Sequence, residues 1–343
     1  MSAAETVVVT GAAAGVGRAT ARAFGHRGAR VGLLARGVDE LNAAATEIDR
    51  AGGRALVLPT DMADPDAVEA AAAAVERQFG PIDIWVNCAM ATIFGAVWDI
   101  APEEFRRATE VTYLGFVYGT MAALRRMRPR NRGTIVQVGS ALAYRAIPLQ
   151  SAYCGGKFAI RGFTNSLRCE LLHEKSRVHL TMVQMPALNT PQFDWARNKT
   201  GWRPQPVPPI FQPEVAAKAI VYAAHARRRE IYVGFPTVKA IIANKFCPGL
   251  LDRYLAHSGY TGQLTSEHEP FHRPDNLYNA LPGDHGAHGR FDGRARATSG
   301  QFWLSRRRGW AAAGIGVAAG FAAAFLAANH SATRPVEPVL PAR

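Results

Sequence analysis

Apolar and polar positions along this chain follow two alternating patterns as far as about residue 235. Short runs of apolar and β-branched residues, typical of strands, are separated by longer stretches with helical spacing. Strands that alternate with helices form a parallel sheet with crossover helices. Runs without polar alternation, such as Val7–Val9, indicate strands that are covered on both faces. The predicted strands lie near residues 6–10, 30–35, 55–58, 84–87, 134–138, 179–184 and 230–233.

We therefore predict an α/β fold: a single doubly wound domain with a seven-stranded parallel sheet over residues 5–235, followed by a C-terminal extension. Residues 236–258 place apolar positions among lysines and arginines, which predicts an amphipathic helical extension on the domain or, alternatively, on a membrane. Residues 259–305 are rich in Gly, Asp, His, Arg and Pro, so we expect a polar, flexible linker. Its histidines lack the spacing of metal ligands, and no metal site is expected.

One interruption within the predicted domain is long. Between Leu188 and Pro213 the strand and helix pattern gives way to a stretch that contains Trp195, Trp202 and several prolines. A long loop in a compact domain usually serves as a lid or a binding loop. A solvated insertion is the alternative.

Near its C-terminus the chain carries 18 consecutive residues without a charge, from Ala311 to Ala328, preceded by arginines at 306–308. This length and flank predict a transmembrane tail helix over residues 310–328 and a short polar tail over 329–343. The segment is mostly Ala and Gly, and its larger apolar residues contribute only roughly 2 kcal/mol of insertion free energy. Marginal insertion is therefore the alternative. The arginines would keep the α/β domain on the cytoplasmic side.

The net charge of +13 raises the question of a polyanionic partner. The basic residues are spread along the chain, and no basic stretch is interleaved with aromatics as a nucleic-acid surface requires. We therefore expect no nucleic-acid partner. The four cysteines have no CxxC spacing, which fits a reducing compartment. The first strand begins at Thr6, leaving no room for a secretory signal, so we expect a cytoplasmic domain.

A glycine-rich turn joins the first strand to the first helix. Thr10 ends the strand, Gly11, Gly15 and Gly17 follow, and a helix begins near Arg18. Glycines at such a turn let the backbone approach a pyrophosphate, whose charge is met by the amides at the helix N-terminus. Because the turn also opens an alternating α/β pattern, it predicts a dinucleotide site.

The end of the second predicted strand indicates which dinucleotide is bound. An acidic residue at this place binds the ribose 2′-hydroxyl of NAD, whereas this chain has Ala35 followed by Arg36. A guanidinium suits a 2′-phosphate, and Arg18 is placed to assist. We therefore predict that NADP(H) is preferred over NAD(H), the alternative being that Arg36 is a solvated surface charge.

Three further polar residues fall where an α/β sheet binds its ligands. Tyr153 and Lys157 stand four apart in a predicted helix that begins near Ser151, so both lie on one helix face. Ser140 ends the fifth predicted strand, at the carboxyl edge of the sheet. A Tyr-xxx-Lys pair alone is a weak signal, but its combination with Ser140 and the glycine-rich turn predicts a proton-handling site beside the cofactor.

Together these features resemble the short-chain dehydrogenase/reductase (SDR) family over about residues 5–235. The resemblance is carried by the TGxxxGxG turn, Asn87-Cys88-Ala89 after the fourth strand, Ser140, Tyr153-xxx-Lys157, and Pro186 followed by Thr190. It implies a Rossmann-type domain and an NAD(P)-dependent oxidoreductase that acts on CH–OH donors.

The resemblance also assigns roles. It implies that Tyr153 exchanges a proton with the substrate oxygen, that Lys157 binds the nicotinamide ribose and lowers the pKa of the tyrosine, and that Ser140 orients the carbonyl or alcohol. A phenol with a pKa near 10 is a poor base at neutral pH, and a neighbouring cation stabilises the phenolate. Asp61 is expected by the adenine, Asn87 in the cofactor cleft and Thr190 by the carboxamide. The implied cofactor-binding set is Thr10, Gly11, Gly15, Val16, Gly17, Arg36, Asp61, Asn87, Tyr153, Lys157, Pro186 and Thr190.

Three positions depart from the family pattern. Thr112 stands where many members carry an Asn that supports a water-linked proton relay, and we expect its hydroxyl to hold a water. Met90 and Ala187 replace glycines and are expected to reshape the pocket.

We thus predict an NADP(H)-dependent oxidoreductase that interconverts a hydrophobic ketone or aldehyde and its alcohol. The alternative is a membrane-tethered NADP-binding regulatory or scaffolding module with little turnover. The resemblance further implies a homo-oligomer that uses the helices near residues 103–126 and the helix that bears Tyr153. The expected substrate pocket consists of Met90, Phe94, Leu142, Tyr144, Leu149, Leu188, Phe193 and Trp195.

Overall fold

One parallel sheet of seven strands forms the centre of the molecule, whose computed structural model describes residues 4–270 and 272–307. The strand order is β7-β6-β5-β4-β1-β2-β3, and all neighbours pair in parallel. The prediction of a seven-stranded α/β sheet is therefore confirmed. The strands are β1 Thr6–Thr10, β2 Arg30–Ala35, β3 Arg54–Pro59, β4 Ile84–Asn87, β5 Thr134–Ser140, β6 His179–Met185 and β7 Glu230–Tyr232.

Helices cover both faces of this sheet. The helices are α1 Gly15–Gly25, α2 Val38–Arg50, α3 Pro65–Phe79, α4 Pro102–Thr109, α5 Gly115–Met127, α6 Ser151–His173 and α7 Pro213–His225. Helices α1, α2 and α7 lie on one face and α3, α5 and α6 on the other, and α4 and a π-helical turn at Glu110–Leu114 lead into α5. Local sequence sets the helix ends: α3 starts after Asp64, whose carboxylate accepts from two backbone N–H groups, and stops at Gly80.

The order of the strands positions the functional edge of the sheet. Strand β1 lies between β2 and β4, so the chain reverses its winding direction at this point. A crevice opens at such a switch point, outside the carboxyl ends of the strands. The wall beneath it is rigid, because all five residues of β1 and the side chain of Trp85 in β4 are buried.

The structure differs from the flexible linker expected over residues 259–305. Residues Leu264–His268 pair with Trp202–Pro204, and Ala295–Arg296 pair with Ile210–Phe211. Leu277 and Phe291 are buried. The polar composition predicted a flexible linker, but the few apolar residues of this segment are buried and its charged residues have partners on the α/β domain.

The remaining extension is helical. Residues 236–258, expected as an amphipathic helix, form the greater part of two helices, α8 Phe235–Phe246 and α9 Pro248–Ser258. A separate unit begins at residue 300 and opens with the short helix α10 Gly300–Arg306. The predicted transmembrane segment at 310–328 and the tail at 329–343 lie outside the described residues. Within 4–270 and 272–307, no helix has the length and apolar character needed to cross a membrane.

Candidate active site

The glycine-rich turn has the shape that an anion site requires. Gly11 and Gly15 both have positive φ, +67° and +54°, and helix α1 begins at Gly15. At Gly17 a Cβ atom would lie 2.0 Å from the Gly11 carbonyl oxygen, so the turn closes only with glycine there. Residues of this kind fit the pyrophosphate of a dinucleotide at the start of a helix.

The turn opens into a cavity of about 690 Å³. This volume is within the usual range for ligand and cofactor sites. The cavity reaches from the ends of β2 and β3 to the start of α6, and it brings most of the predicted site residues together. Those that line it are Gly11, Gly15, Val16, Gly17, Arg36, Asp61, Ser140, Tyr153, Lys157, Pro186 and Thr190.

Thr10 and Asn87 do not line this cavity, contrary to the expectation. Both side chains are fully buried. The Thr10 hydroxyl accepts from the backbone N–H groups of Cys88 and Ala89, at 2.9 and 3.1 Å, and so ties β1 to the end of β4. The Asn87 amide turns away from the cleft because it has a full set of polar partners there. Those partners are Trp85, Phe116, Thr120 and Gln137.

Arg36 and Asp61 form one wall of the cavity, and each already has a partner from the chain. The Arg36 guanidinium donates to the carbonyl oxygens of three consecutive residues, 276–278. Burial lowers the pKa of Arg36. Burial alone would raise the pKa of Asp61. A hydrogen bond from Arg107 at 2.5 Å outweighs this and keeps the pKa of the Asp61 carboxyl below its ordinary value. The wall thus presents one cation and one ionised carboxylate.

Glu40 is a residue of this wall that sequence reasoning missed. Its side chain is 7% exposed and lines the cavity beside Gly37 and Arg36. Burial raises the pKa of Glu40. Its one ion-pair partner among the described residues is His285, 3.9 Å away. The sequence signal that could have identified Glu40 is its position in the first turn of α2, shortly after the end of β2.

Tyr153 and Ser140 line the same cavity. Strand β5 ends at Ser140, and helix α6 begins two residues before Tyr153. Ser140 Oγ accepts from the Leu142 N–H at 3.1 Å, which fixes its position. Burial raises the pKa of Tyr153 above its ordinary value of 10, although the neighbouring Ser140 hydroxyl opposes this change. The phenol is therefore neutral at physiological pH.

Lys157 lies one helical turn after Tyr153 and is buried. Its Nζ donates to the Val138 carbonyl oxygen at 2.8 Å and lies 5.5 Å from the centre of the Tyr153 ring. Burial lowers the pKa of Lys157 to about 8. The ammonium has three N–H donors, so two remain for other acceptors. The protein residues alone do not produce the lowered tyrosine pKa that the family resemblance implies.

Thr112 lies in the π-helical turn before α5 and is fully buried. Its hydroxyl donates to the Ala91 carbonyl at 2.8 Å and accepts from the Ala91 N–H at 2.9 Å. The only hydroxyl proton is thereby used, so Thr112 has none to donate to the water that we expected it to hold. The side chain instead fixes the segment after β4, which carries Met90 at the cavity wall.

We expect Thr112→Val to lower the free energy of unfolding by about 1–3 kcal/mol, because it leaves a buried N–H and a buried carbonyl without partners. Chemical denaturation followed by circular dichroism measures this change. Thr109→Val is the matched control, since the Thr109 hydroxyl bonds only to a carbonyl in its own helix, and a change below about 0.5 kcal/mol is expected there. Equal losses in the two variants would contradict the assignment.

The apolar part of the cavity includes five of the eight predicted pocket residues: Met90, Leu142, Leu188, Phe193 and Trp195. The other three are engaged elsewhere. Phe94 and Leu149 are buried outside the cavity, and the Tyr144 hydroxyl donates to Glu230 at 2.7 Å. Sequence reasoning missed the contributions of the C-terminal extension. They are Pro236, Thr237, Ala240, Tyr254, Leu255, Ser258, Gly259, Thr261, Gly262, Gln263, Asn276, Ala280 and Leu281.

Comparison with known proteins agrees with this geometry. The family model described as short chain dehydrogenase matches residues 5–200. The chain is 31% identical over 283 residues to an uncharacterized oxidoreductase, YxnA, of Bacillus subtilis, covering 82% of this chain and 80% of that protein. It is also 31% identical over 226 residues to 3-dehydrosphinganine reductase of Danio rerio, covering 63% of this chain and 67% of that protein.

A solved structure shares the fold. A single-substitution variant of actinorhodin polyketide ketoreductase, solved with NADPH, superposes with a TM-score of 0.61 at 27% identity. The match covers 67% of this chain and 95% of that chain. The matched part corresponds in extent to the α/β domain, and the structural neighbour carries a nicotinamide dinucleotide.

Proposed function

This chain belongs to the short-chain dehydrogenase family and is an NAD(P)-dependent oxidoreductase, and on that premise we propose that it interconverts a hydrophobic ketone or aldehyde and its alcohol, with Tyr153 as the general acid and base. One observation carries this proposal. Ser140, Tyr153 and Lys157 line the same cavity as the glycine-rich turn, so a proton donor and a dinucleotide cradle share one enclosed space.

The protonation state of Tyr153 suits the role of general acid in carbonyl reduction. Because burial raises its pKa, the phenol holds its proton throughout the neutral range. A neutral phenol donates a proton to the oxygen of a carbonyl as that oxygen gains negative charge. Ser140, which lines the same cavity, orients the carbonyl oxygen toward this phenol.

Lys157 supports this proton transfer through its position. When bound, the nicotinamide supplies the hydride. The two free N–H donors of Lys157 suit ribose hydroxyls, and its charge, one helical turn from Tyr153, stabilises the phenolate left after proton donation.

The lining of the cavity supports a hydrophobic substrate. Leu142, Leu188, Phe193 and Trp195 line the cavity that contains Tyr153, and Met90 also lies on its wall. Burial of apolar surface favours a ligand of the same character. The relative named 3-dehydrosphinganine reductase acts, by its name, on a ketone of this type, and this supports lipid-like carbonyl compounds as the first candidates.

A preference for NADP(H) is part of the proposal. Arg36 places a cation on the wall where the adenosine ribose is expected. Of the neighbouring acids, Asp61 opposes a phosphate only weakly, because its charge is paired with Arg107. NADPH in the related ketoreductase structure supports the same choice.

We expect Arg36→Ala to weaken NADPH binding by about 10- to 100-fold and NADH binding much less, since a charge-assisted contact contributes about 1.5–3 kcal/mol. Fluorescence titration with both cofactors measures the two dissociation constants. Arg50→Ala, which removes an exposed arginine at the end of α2, is the matched control. Equal weakening for both cofactors would show that Arg36 does not read the 2′-phosphate.

The proposed activity is tested by titrating the full chain with NADPH and then following NADPH absorbance with a panel of apolar ketones and aldehydes. Turnover of at least one panel member supports the proposal. Tight binding without turnover on any member would favour the alternative of a regulatory NADP-binding module. Nothing in the site favours that module, which has no need of Ser140, Tyr153 and Lys157 together.

A homo-oligomer is proposed from the family resemblance and from surface composition. Helices α5 and α6 expose Met121, Phe158 and Leu172, with 46%, 38% and 71% of their surface accessible. Apolar side chains on neighbouring helices suit a helix-to-helix interface. Light scattering coupled to size-exclusion chromatography measures the mass, and a monomer at micromolar concentration would contradict this proposal.

The membrane anchor at residues 310–328 stays a prediction from sequence. Its test is fractionation of cells that produce either the full chain or a chain ending at Ser305. Recovery of both chains in the soluble fraction would contradict an anchor.

A further inference from the structure

Residues 273–292, here called the strap, lie outside the stretch matched by the family model and run across the mouth of the cavity. Asn276 N–H donates to the Trp195 carbonyl at 3.0 Å, and the Gly286 carbonyl accepts from Gly15 N–H at 3.2 Å. The strap therefore touches both the loop after β6 and the glycine-rich turn. Asn276, Ala280 and Leu281 line the same cavity as Tyr153.

The strap is held at both ends by apolar anchors. At one end Leu277 is fully buried among the residues that follow β4 and those of α4. At the other, Ala287 packs against α1 and α7, and the Phe291 ring meets Phe193 edge to face at 5.9 Å. In the span between them, residues 278–286, most positions are exposed and none is buried. Such a span moves more easily than its anchors.

The polar contacts of the strap converge on the wall where the adenosine is expected. Arg36 donates to the carbonyls of residues 276–278, and Arg107 donates to that of Leu277 at 3.2 Å. Asp284 forms an ion pair with Arg18, which is itself 2.7 Å from Glu47. Of the five N–H donors of a guanidinium, Arg36 uses at least three on the strap.

We propose that the strap forms the outer wall of the adenosine end of the cofactor site, where its carbonyls position Arg36, and that the span 278–286 moves aside whenever the dinucleotide enters or leaves. The inference rests on the proposed function, because it takes the cavity as the nicotinamide dinucleotide site. A consequence is that Arg36 and the strap act together: the strap fixes the guanidinium, and the guanidinium holds the strap closed.

A disulfide between the strap and the wall tests this movement. A Cβ built on Gly37 lies 3.6 Å from Ala280 Cβ, within the usual range for disulfides, and Gly37 has an ordinary φ of −75°. The Glu40 carboxylate approaches this position, so every variant, including the reference, carries Glu40→Ala. The test protein adds Gly37→Cys and Ala280→Cys, and each single cysteine variant is a control.

Stopped-flow fluorescence then gives the association and dissociation rates of NADPH before and after reduction. We expect the oxidised pair to slow both rates by at least roughly tenfold and reduction to restore them, whereas the rates of each single cysteine variant should be the same before and after reduction. A verified disulfide with unchanged rates would overturn the strap proposal and leave the proposed function intact. Failure of the two cysteines to pair under oxidising conditions would overturn the strap position. No NADPH binding by the reference would overturn both proposals.

A second variant avoids new cysteines. Asp284→Asn removes the ion pair between Asp284 and Arg18, in which the Asp284 side chain is 46% exposed. Because the pair is partly exposed, its loss should increase the dissociation rate of NADPH by only about threefold. Asp252→Asn removes the ion pair with Arg145 outside the cavity and should leave the rate unchanged. Equal dissociation rates in the two variants would contradict a role of Asp284 in closing the strap.

Discussion

Replacing Tyr153 by phenylalanine is expected to lower kcat by about 10²–10⁴-fold while the dissociation constant of NADPH changes less than about threefold. In the proposed function the phenol donates the proton to the reacting oxygen, so its loss should affect the chemical step and not the cofactor wall. The ring itself stays, and α6 keeps its packing. Steady-state kinetics with the best panel substrate and a fluorescence titration give the two numbers.

Tyr260→Phe is the matched control for this variant, because it removes the hydroxyl of a tyrosine that is 40% exposed and is not among the residues that line the cavity. Its kcat should equal that of the unchanged protein. If Tyr153→Phe retained more than about a tenth of the activity, a water or another side chain would be the proton donor. The assignment of Tyr153 would then be wrong.

Replacing Lys157 by methionine is expected to have the second largest effect, a fall in kcat/KM of about 10²–10⁴-fold together with weaker NADPH binding. Methionine fills a similar buried volume but has no donor for ribose hydroxyls and no charge beside Tyr153. Lys239→Met, at an exposed position of α8, removes the same kind of charge elsewhere. Comparable losses in the two variants would indicate a general effect of net charge.

The pH dependence of NADPH binding distinguishes the charge of Lys157 from its packing. Burial lowers the pKa of Lys157 to about 8, so the ammonium is charged below that value and becomes neutral as the pH rises through it. The dissociation constant of NADPH should therefore increase above pH 8 in the unchanged protein. In Lys157→Met it should stay flat over the same interval. A parallel increase in both proteins would mean that another group titrates.

The same lowered pKa has a consequence for stability with a defined sign. Between about pH 8 and 10.5 the unfolded chain binds the proton at Lys157 and the folded chain does not. The contribution of this group to the free energy of unfolding thus rises with pH over that interval and is lowest below pH 8. The physical cause is that burial makes the charged form of the Lys157 amine less stable in the folded protein than in the unfolded chain.

The sequence by itself determined the frame of the molecule. The unalternated run Val7–Val9 and its counterparts predicted strands buried on both faces, and the seven strands form one parallel sheet as that pattern requires. The glycine-rich turn and the Tyr153-xxx-Lys157 pair were likewise visible, because their geometry depends on neighbours within one turn or one helix. Local periodicity carries this information.

The direction of particular side chains was decided only by the tertiary structure. Asn87 was expected at the cofactor cleft and Thr112 in a water relay. Besides Trp85 on its own strand, Asn87 has its hydrogen-bond partners on β5 and α5, and the partner of Thr112 lies after β4. A buried polar group takes the orientation that satisfies it, and sequence spacing does not reveal which groups will be within reach.

The strap shows the same limit over a greater distance. Arg36 and the carbonyl of Tyr278 are 242 positions apart, and a contact of that kind leaves no periodic pattern in either segment. The strap is polar in composition, but its charged residues pair with residues of the α/β domain. Its apolar anchors, Leu277, Ala287 and Phe291, hold it in place. Sequence thus determined the sheet, the turn and the helix that bears Tyr153 and Lys157, whereas long-range ion pairs and backbone contacts, visible only in three dimensions, decided how the strap lies at the cavity.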